Sequence, residues 1–333
     1  MVLPSGLAAR KTLDADLAVT LAAAEWEWQG MQGDVWGSWE TVGPRLTRVV
    51  SKGQLRAATH GVNALDPILA EQGLSTEAVA RFRPASLAGV ASDGRGLESL
   101  LTLGALKMNT SLDGGVLFGE ASQVGWKFIE KAVATQVADA FRVGMGGQAV
   151  ATKSASLFVR VVNPGACARC VVLAGITSGD MEAFERHPQC RCINIPMSED
   201  FPGDVGTNPD EYFNRLSEAE QDRTFTKAGA QAIRDGADMN QVVHARRGMH
   251  TTVDGVQKRL IRDFFGRYTT TEGMTQRGYA HKVMARQPGW STQVGSSVTR
   301  RKVTQVRLMP ESIYEIAKDR AEAISMLKAY GYF

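Results

Sequence analysis

The stretch ACARCVVLAGITSGDMEAFERHPQCRC, residues 166–192, contains all four cysteines of this chain and a histidine among them. Two cysteines separated by two residues can both reach one ion, and a second group of Cys or His ligands completes a tetrahedral zinc site. The spacing therefore predicts a structural zinc ion that orders the second part of the chain. The side chains suited to bind it are Cys167, Cys170, His187, Cys190 and Cys192.

Five side chains compete for the four positions of a closed zinc site, so one of them is expected to lie outside the coordination sphere. We expect Cys190 and Cys192 to bind together only if the chain turns at Arg191. The alternative set uses His187 with Cys190 and leaves Cys192 as a small buried apolar side chain. A site with four protein ligands has no position for water or substrate, so the metal would stabilise the fold and carry out no reaction.

Two alternatives to a metal stay open for these cysteines. A pair of disulfides is disfavoured for an intracellular protein, although exposure outside a cell would permit it. Unligated thiols are the other alternative. A zinc deaminase is not indicated, because it needs a His-x-Glu segment upstream of Pro-Cys-x-x-Cys, and the chain has neither motif.

Length and composition predict a folded protein of two domains. The chain has 333 residues, of which 44% are hydrophobic and 22% charged, and this length exceeds what one hydrophobic core usually organises. Near the N-terminus, Lys11, Asp14 and Asp16 interrupt the apolar run that a signal peptide needs. No segment has the roughly 18 consecutive apolar residues of a membrane span. We expect an intracellular product without a membrane partner.

The hydrophobic pattern predicts an α+β fold. Residues 13–73, 97–109 and 122–148 read as helices, and three glycines, Gly144, Gly146 and Gly147, are expected to end the last one. The segment SLFVRVVNPG then alternates apolar and polar residues, as a strand followed by a turn does. We therefore predict a helical domain over residues 1–155 and a smaller mixed domain over residues 156–333, which includes the Cys/His cluster and a basic segment.

The same reading predicts several elements of the second domain. The segment CINIPMSED is expected to form a strand, Ser217 and Glu220 a capping box that opens a helix running to about Gly236, and Asp238 the N-cap of a further helix. Residues 268–301 have little periodicity and predict loops. A terminal helix pair is expected from Pro310 to the residue before Gly331.

Four tryptophans lie within fourteen positions of the helical region, and they support two interpretations. A tryptophan-rich helical face packs into the core of most proteins, but indole is also enriched at protein interfaces. The sequence leaves open whether these residues form core or a docking surface. They are Trp26, Trp28, Trp36 and Trp39.

Positive charge is concentrated in one segment. Residues 241–309 contain thirteen basic and three acidic residues, a formal charge of +10, whereas the whole chain carries +3 and the remainder therefore −7. Such a block suits contact with a polyanion such as double-stranded DNA, although it also describes a solvated face. The predicted nucleic-acid contacts are Arg246, Arg247, Lys258, Arg259, Arg262, Arg300, Arg301 and Lys302.

Signatures of common enzyme classes are missing from the sequence. It has no Gly-x4-Gly-Lys-Ser/Thr loop, no His-Glu-x-x-His and no Gly-x-Ser-x-Gly elbow. The remaining histidines are scattered and are interpreted as ordinary surface or core residues. These patterns predict a protein without catalytic activity.

Several ordered blocks carry a family resemblance. CARCVVLAG, FERHPQCRCINIP, FTKAGAQAIRDGADMNQVVHARRGM and RLMPESIYEIAKDRAEAISMLKAYGYF closely resemble the MuF-like minor capsid, or head morphogenesis, proteins of tailed bacteriophages, particularly phages of actinobacteria. The resemblance covers about residues 155–333. Arg191 departs from it, because an acidic residue is more usual between the last two cysteines; this alters local charge but removes no ligand.

The resemblance implies a protein made in the host cytoplasm and incorporated in few copies into the head interior or portal vertex of the virion. Its implied partners are the portal protein, the major capsid or scaffold protein and double-stranded DNA, and its implied roles are head morphogenesis and assistance in genome ejection. The alternative hypothesis is a zinc-stabilised DNA-binding protein that acts in the host cell. A nuclease or transferase is a third, for which no catalytic constellation can be assembled.

Overall fold

The computed structural model describes residues 3–153, 157–162, 165–179, 187–197, 208–253, 256–259, 267–294 and 301–333. The chain divides into two compact units. The first comprises residues 1–166 and 173–208, and the second comprises residues 167–172 and 209–333. The first unit thus extends beyond the predicted boundary near residue 155.

Four long helices make up most of the first unit. Asp34 begins the second of them as a true N-cap, because its carboxylate accepts a hydrogen bond from the amide of Gly37 at 3.0 Å. Lys153 ends the fourth in the left-handed conformation, with φ of 58°. The helices are α1 (Pro4–Trp28), α2 (Val35–Glu71), α3 (Leu97–Asp113) and α4 (Phe118–Thr152), with a 3₁₀ turn at Pro84–Leu87.

Helix α4 continues through the three glycines that were expected to end it, so that prediction was wrong. A Cβ added at Gly144 would lie 2.3 Å from the carbonyl oxygen of Ala58 on α2, and one added at Gly61 would lie 2.1 Å from that of Phe141. A Cβ at Gly147 would meet the Phe82 ring at 2.4 Å. At these positions glycine allows close packing of neighbouring chain and does not terminate the helix.

A small sheet completes the first unit. Strand β1 (Leu157–Val161) lies between β2 (Thr177–Gly179) and β3 (Ile193–Met197), and both neighbours are antiparallel to it. Its inward side chains join the same apolar core as the four helices. Both strands predicted here, in SLFVRVVNPG and CINIPMSED, are confirmed.

The second unit consists of short helices and two-stranded ribbons. In chain order its elements are α5 (Ala168–Val171), α6 (Pro209–Arg215), α7 (Glu218–Phe225), α8 (Lys227–Arg234), α9 (Met239–Ala245), a 3₁₀ turn (Arg246–Met249), β4 (His250–Val253), β5 (Val256–Arg259), β6 (Thr269–Thr270), α10 (Tyr279–Met284), β7 (Ser291–Gln293), β8 (Arg301–Val303), β9 (Arg307–Leu308), α11 (Pro310–Ile316) and α12 (Arg320–Ala329).

Local signals at helix ends were read correctly in this unit. The Ser217–Glu220 capping box is present, Asp238 caps α9 by accepting from the amide of Gln241 at 2.8 Å, and Pro310 occupies the first turn of α11. The helix expected to run to Gly236 is instead broken at Thr226, whose φ of 68° ends α7 while its hydroxyl caps α8.

The described part of residues 268–301 is more ordered in secondary structure than its sequence suggested. It includes β6, α10 and β7, where loops were predicted. Ala280 and Met284 of α10 are fully buried. Burial of a short apolar face thus stabilises a helix too short to give a periodic signal.

The overall class agrees with the sequence analysis: a helical N-terminal region is followed by a smaller mixed α+β part, so the predicted α+β fold class is confirmed. Among the described residues, no helix combines the length and the apolar character needed to cross a membrane.

Candidate metal centre

All five ligand side chains predicted from the sequence lie together. They form two overlapping groups, and within each group the candidate ligand atoms lie no more than 4.8 Å from one another. One group is Cys167, Cys170 and His187, and the other is Cys170, Cys190 and Cys192. Cys170 belongs to both groups, so its thiol links them.

The first cysteine pair lies on a tight turn at the start of α5. Cys167 is the residue before the helix, and the amide of Cys170 donates to its carbonyl oxygen at 2.9 Å. Cys167 is exposed and Cys170 is buried. The turn thus directs two thiols toward one point from a segment of four residues, which is the geometry that Cys-x-x-Cys supplies in zinc sites.

One ring nitrogen of His187 is engaged by the neighbouring main chain. Its Nδ1 lies 2.8 Å from the carbonyl oxygen of Pro188. A carbonyl oxygen can only accept, so this contact places the ring proton on Nδ1 and leaves the lone pair on Nε2. Metal-binding imidazoles commonly use their second nitrogen in this way. His187 is therefore suited to bind through Nε2.

Cys190 and Cys192 do not need a turn at Arg191 in order to face the same ion, so that expectation was wrong. Side chains two residues apart in an extended chain point to the same face, and only adjacent ones alternate. Burial follows this pattern: Cys190 and Cys192 are each 2% exposed, whereas Arg191 between them is exposed. The segment leads directly into β3, and both thiols are buried.

The main chain of this segment is held by α4. Arg142 donates from Nε to the carbonyl oxygen of Cys192 at 2.9 Å and from Nη2 to that of Cys190. Its Nη1 lies 2.5 Å from Asp139 Oδ1, and Asp139 Oδ2 accepts from the hydroxyl of Ser92 at 2.6 Å. The guanidinium therefore contacts the cysteine segment on one side and a buried carboxylate on the other.

Sequence reasoning did not identify Arg142 or Asp139. A signal was present, because the two residues are a charged pair three positions apart within the otherwise apolar helical stretch VADAFRVGM. Two buried charges with (i, i+3) spacing on an apolar face imply that each has a specific partner. The partner of Arg142, however, is main chain about fifty residues away, which helical periodicity cannot indicate.

The donor set fits a zinc ion. Four thiols and an imidazole are soft or borderline ligands, which zinc prefers over oxygen-only sets. Two thiolates about 2.3 Å from one tetrahedral ion are about 3.8 Å apart, and within each group of three the ligand atoms lie no more than 4.8 Å from one another. The cluster could thus hold a metal ion.

The predicted DNA-contacting residues differ in exposure and in ion pairing. Arg246 forms an ion pair with Glu311 and donates to Thr226 Oγ1 at 2.7 Å, so its charge is neutralised internally. Arg247, Arg301 and Lys302 are exposed. Lys258 and Arg259 belong to β5, and Arg262 and Arg300 lie outside the described residues.

Arg307 adds less positive charge to the surface than the sequence count implies, and His244, which that count leaves out, adds none at pH 7. Arg307 is 1% exposed, and it donates to the carbonyl oxygens of Tyr330, Glu272 and Gly331. Its guanidinium thus acts inside the core of the second unit. Burial lowers the pKa of His244, and the nearby Arg247 charge acts in the same direction, so this imidazole is neutral at pH 7.

The four tryptophans divide equally between core and surface. Trp28 and Trp39 are 4% and 8% exposed, and their rings pack edge to face with centroids 6.5 Å apart. Trp26 and Trp36 are 74% and 44% exposed. The core interpretation is therefore confirmed for Trp28 and Trp39, whereas docking through Trp26 and Trp36 stays a prediction.

No protein-family model, curated protein or solved structure matches the chain.

Proposed function

We propose that this chain is a structural and interaction protein of a tailed-phage head, of the MuF-like minor capsid type, in which a zinc ion bound by the Cys/His cluster stabilises the fold. The observation that carries the proposal is the convergence of all five ligand side chains within a segment of 26 residues. That segment also contains two of the blocks that resemble MuF-like proteins. Virion location, portal association and DNA contact are parts of the same proposal.

The proposed zinc has a closed set of ligands. Cys170 binds in every arrangement, together with three of Cys167, His187, Cys190 and Cys192. Four protein ligands exclude water and substrate, so the ion contributes folding free energy and no catalytic step. This role agrees with a protein that acts by binding other proteins.

The proposed docking surface is one end of the helix bundle in the first unit, and we call it the acidic tip. It consists of residues 22–44 and 108–126, where α1 and α3 end and α2 and α4 begin. The indole nitrogen of Trp28 lies 3.3 Å from the carbonyl oxygen of Ser122, which joins the two segments. The tip contains six acidic residues, no lysine and no arginine.

Exposed apolar side chains lie within this acidic surface. The most exposed are Trp26 and Leu117, both 74%, and Trp36, Phe118 and Val124 are each more than 40% exposed. Large apolar groups left in solvent on a folded chain mark interaction sites when they are contiguous. The charges within these bounds are all negative, although the exposed Arg45, Lys107 and Lys127 flank them directly. The proposed partner therefore carries basic residues around an apolar patch.

Co-expression with the portal and major capsid proteins of the same phage tests this proposal. Wild-type chain is expected to co-purify with portal or procapsid particles, and the double variant Trp26→Ser, Leu117→Ser is expected to lose most of that association, since exposed aromatic anchors dominate interface energetics. Val79→Ser is the matched control, because Val79 is 73% exposed but lies outside the tip. Equal recovery of all three chains would contradict docking through the acidic tip.

One observation favours the second function, a zinc-stabilised DNA-binding protein of the host cell. Arg247, Arg301 and Lys302 are exposed cations in the second unit. DNA affinity by itself fits both proposals. Absence of the chain from purified portal and procapsid particles, with salt-dependent DNA binding retained, would favour the host protein.

A further inference from the structure

Arg142 binds the main chain of both cysteines at the second half of the cluster. Its side chain is only 6% exposed, and its three donor nitrogens contact the carbonyl oxygens of Cys190 and Cys192 and the carboxylate of Asp139. We propose that Arg142 is a positioning residue for the metal: it fixes the Cys190–Cys192 segment in the one conformation that directs both thiols to the same ion. This inference rests on the proposed zinc site.

The geometry of an extended chain explains why one guanidinium can do this. Carbonyl oxygens two residues apart point to the same edge of an extended segment, and the side chains of those two residues point to the same face. A planar guanidinium has parallel donors that match such a pair of acceptors. By binding both carbonyls, Arg142 keeps the segment extended, and the thiols of Cys190 and Cys192 then project together.

The orientation of the guanidinium is itself constrained. Asp139 precedes Arg142 by one helical turn and lies 2.5 Å from its Nη1. The other carboxylate oxygen of Asp139 accepts from Ser92 Oγ, and the Ser92 amide donates to Gln136 Oε1 at 2.7 Å. The Ser92 segment and α4 therefore fix the Asp139 carboxylate in place, and that carboxylate fixes the orientation of the Arg142 guanidinium.

The proposed effect depends on shape and not on charge. The Asp139 carboxylate already balances the positive charge of Arg142, so the arginine offers little additional electrostatic stabilisation to thiolates. A lysine at position 142 would keep the charge but has no planar fork to bind two carbonyls at once. Comparing arginine with lysine at this position therefore separates positioning from electrostatics.

The test measures zinc affinity of the full chain by competition with a chromophoric chelator under reducing conditions. Arg142→Lys is expected to weaken zinc binding roughly 10- to 100-fold, the usual effect of losing a residue that orients metal ligands. Arg56→Lys is the matched control: Arg56 also binds a buried aspartate, since its Nε lies 2.8 Å from Asp16 Oδ1, but its contacts are to α1. The control is expected to bind zinc like the wild type.

Cobalt substitution gives a readout that a general loss of stability would not change. The thiolate-to-cobalt charge-transfer band reports how many thiolates bind, and we expect it to be weaker in Arg142→Lys than in Arg56→Lys. If Arg142→Lys does not fold, Ser92→Ala replaces it, because Ser92 is exposed and its loss frees Asp139 without removing a core side chain. Its expected effect on zinc affinity is smaller, roughly two- to tenfold.

The outcomes separate this inference from the proposed site. Wild-type zinc affinity and an unchanged cobalt spectrum in Arg142→Lys would overturn the positioning role while the zinc site stands. If Arg142→Lys does not fold, the same result in Ser92→Ala would overturn the positioning role. A wild-type chain that binds neither zinc nor cobalt would overturn the zinc site and the positioning role together.

Discussion

At the scale of single residues, the contact between α2 and α4 depends on glycines that leave no room for a side chain. Gly144 and Gly146 lie on the same helix and differ only in surroundings. A Cβ at Gly144 would lie 2.3 Å from the Ala58 carbonyl oxygen, whereas a Cβ at Gly146 would meet nothing within 4 Å. The two positions therefore separate packing from helix propensity.

We predict that Gly144→Ala lowers the free energy of unfolding by about 1–3 kcal/mol, because the added methyl group forces the two helices apart. Gly146→Ala is expected to raise it by up to about 1 kcal/mol, since alanine has the higher helix propensity. Urea unfolding of both variants measures the difference. Equal effects at the two positions would show that the helix contact is not as close as described.

Residue-level features also show where sequence reasoning succeeds and where it stops. The grouping of the five Cys and His side chains was predictable because their chemistry is rare and their spacing is local. The role of Arg142 was not, because its partners are main-chain carbonyls far away in sequence. The same holds for Gly144, whose sequence signal, a glycine near a helix end, is shared by helix stops and by close helix contacts.

At the scale of elements, one buried carboxylate joins three helices of the second unit. Asp235 follows α8, and it accepts from the Tyr314 hydroxyl of α11 at 2.6 Å and from Arg320 Nε of α12 at 2.7 Å. Burial of the carboxylate raises its pKa, but the hydrogen bonds from Tyr314, Arg320 and Gln231 outweigh this effect, and the net pKa is lowered. The ionised form therefore stabilises the fold.

This lowered pKa predicts an acid dependence of stability. A carboxyl group whose pKa is lower in the folded state contributes stability above its unfolded value, 3.8 for Asp235, and loses it as the pH falls through the folded value. We expect the wild-type chain to lose more stability than Asp235→Asn between about pH 5 and the folded pKa. Thermal unfolding across this range measures it, and parallel pH profiles would contradict the assignment.

Two helix starts were predictable from their capping residues, Ser217 and Asp238. A boundary set by backbone conformation was missed. Thr226 breaks a helix by adopting a positive φ. The neighbouring sequence does not predict this conformation. Helix α10 was missed because six residues give too short a periodic pattern to detect.

At the scale of the whole molecule, the basic segment is less cationic at its surface than its composition suggests. Arg246 is paired with Glu311 and Arg307 is buried. Composition alone cannot distinguish such internal cations from exposed ones. The exposed Arg247, Arg301 and Lys302 are the described residues of the predicted set that are best placed to contact a polyanion.

We predict that each of Arg247→Gln, Arg301→Gln and Lys302→Gln lowers the salt dependence of DNA binding by about one unit of slope, because each removes one phosphate contact and its released counterion. Arg246→Gln is the control and is expected to leave the slope unchanged, since its charge is already neutralised by Glu311. Titrations of duplex DNA at several salt concentrations provide the slopes. A loss at Arg246 as large as at the other three would contradict the assignment.

The metal content of the purified chain shows whether the Cys/His cluster holds a structural zinc. Elemental mass spectrometry of the chain purified under reducing conditions is expected to find about one zinc per molecule. Cys170→Ser removes the thiol common to both groups, so it is expected to lose the zinc and to unfold at a lower temperature. A wild-type chain without metal, as stable as Cys170→Ser, would contradict the account.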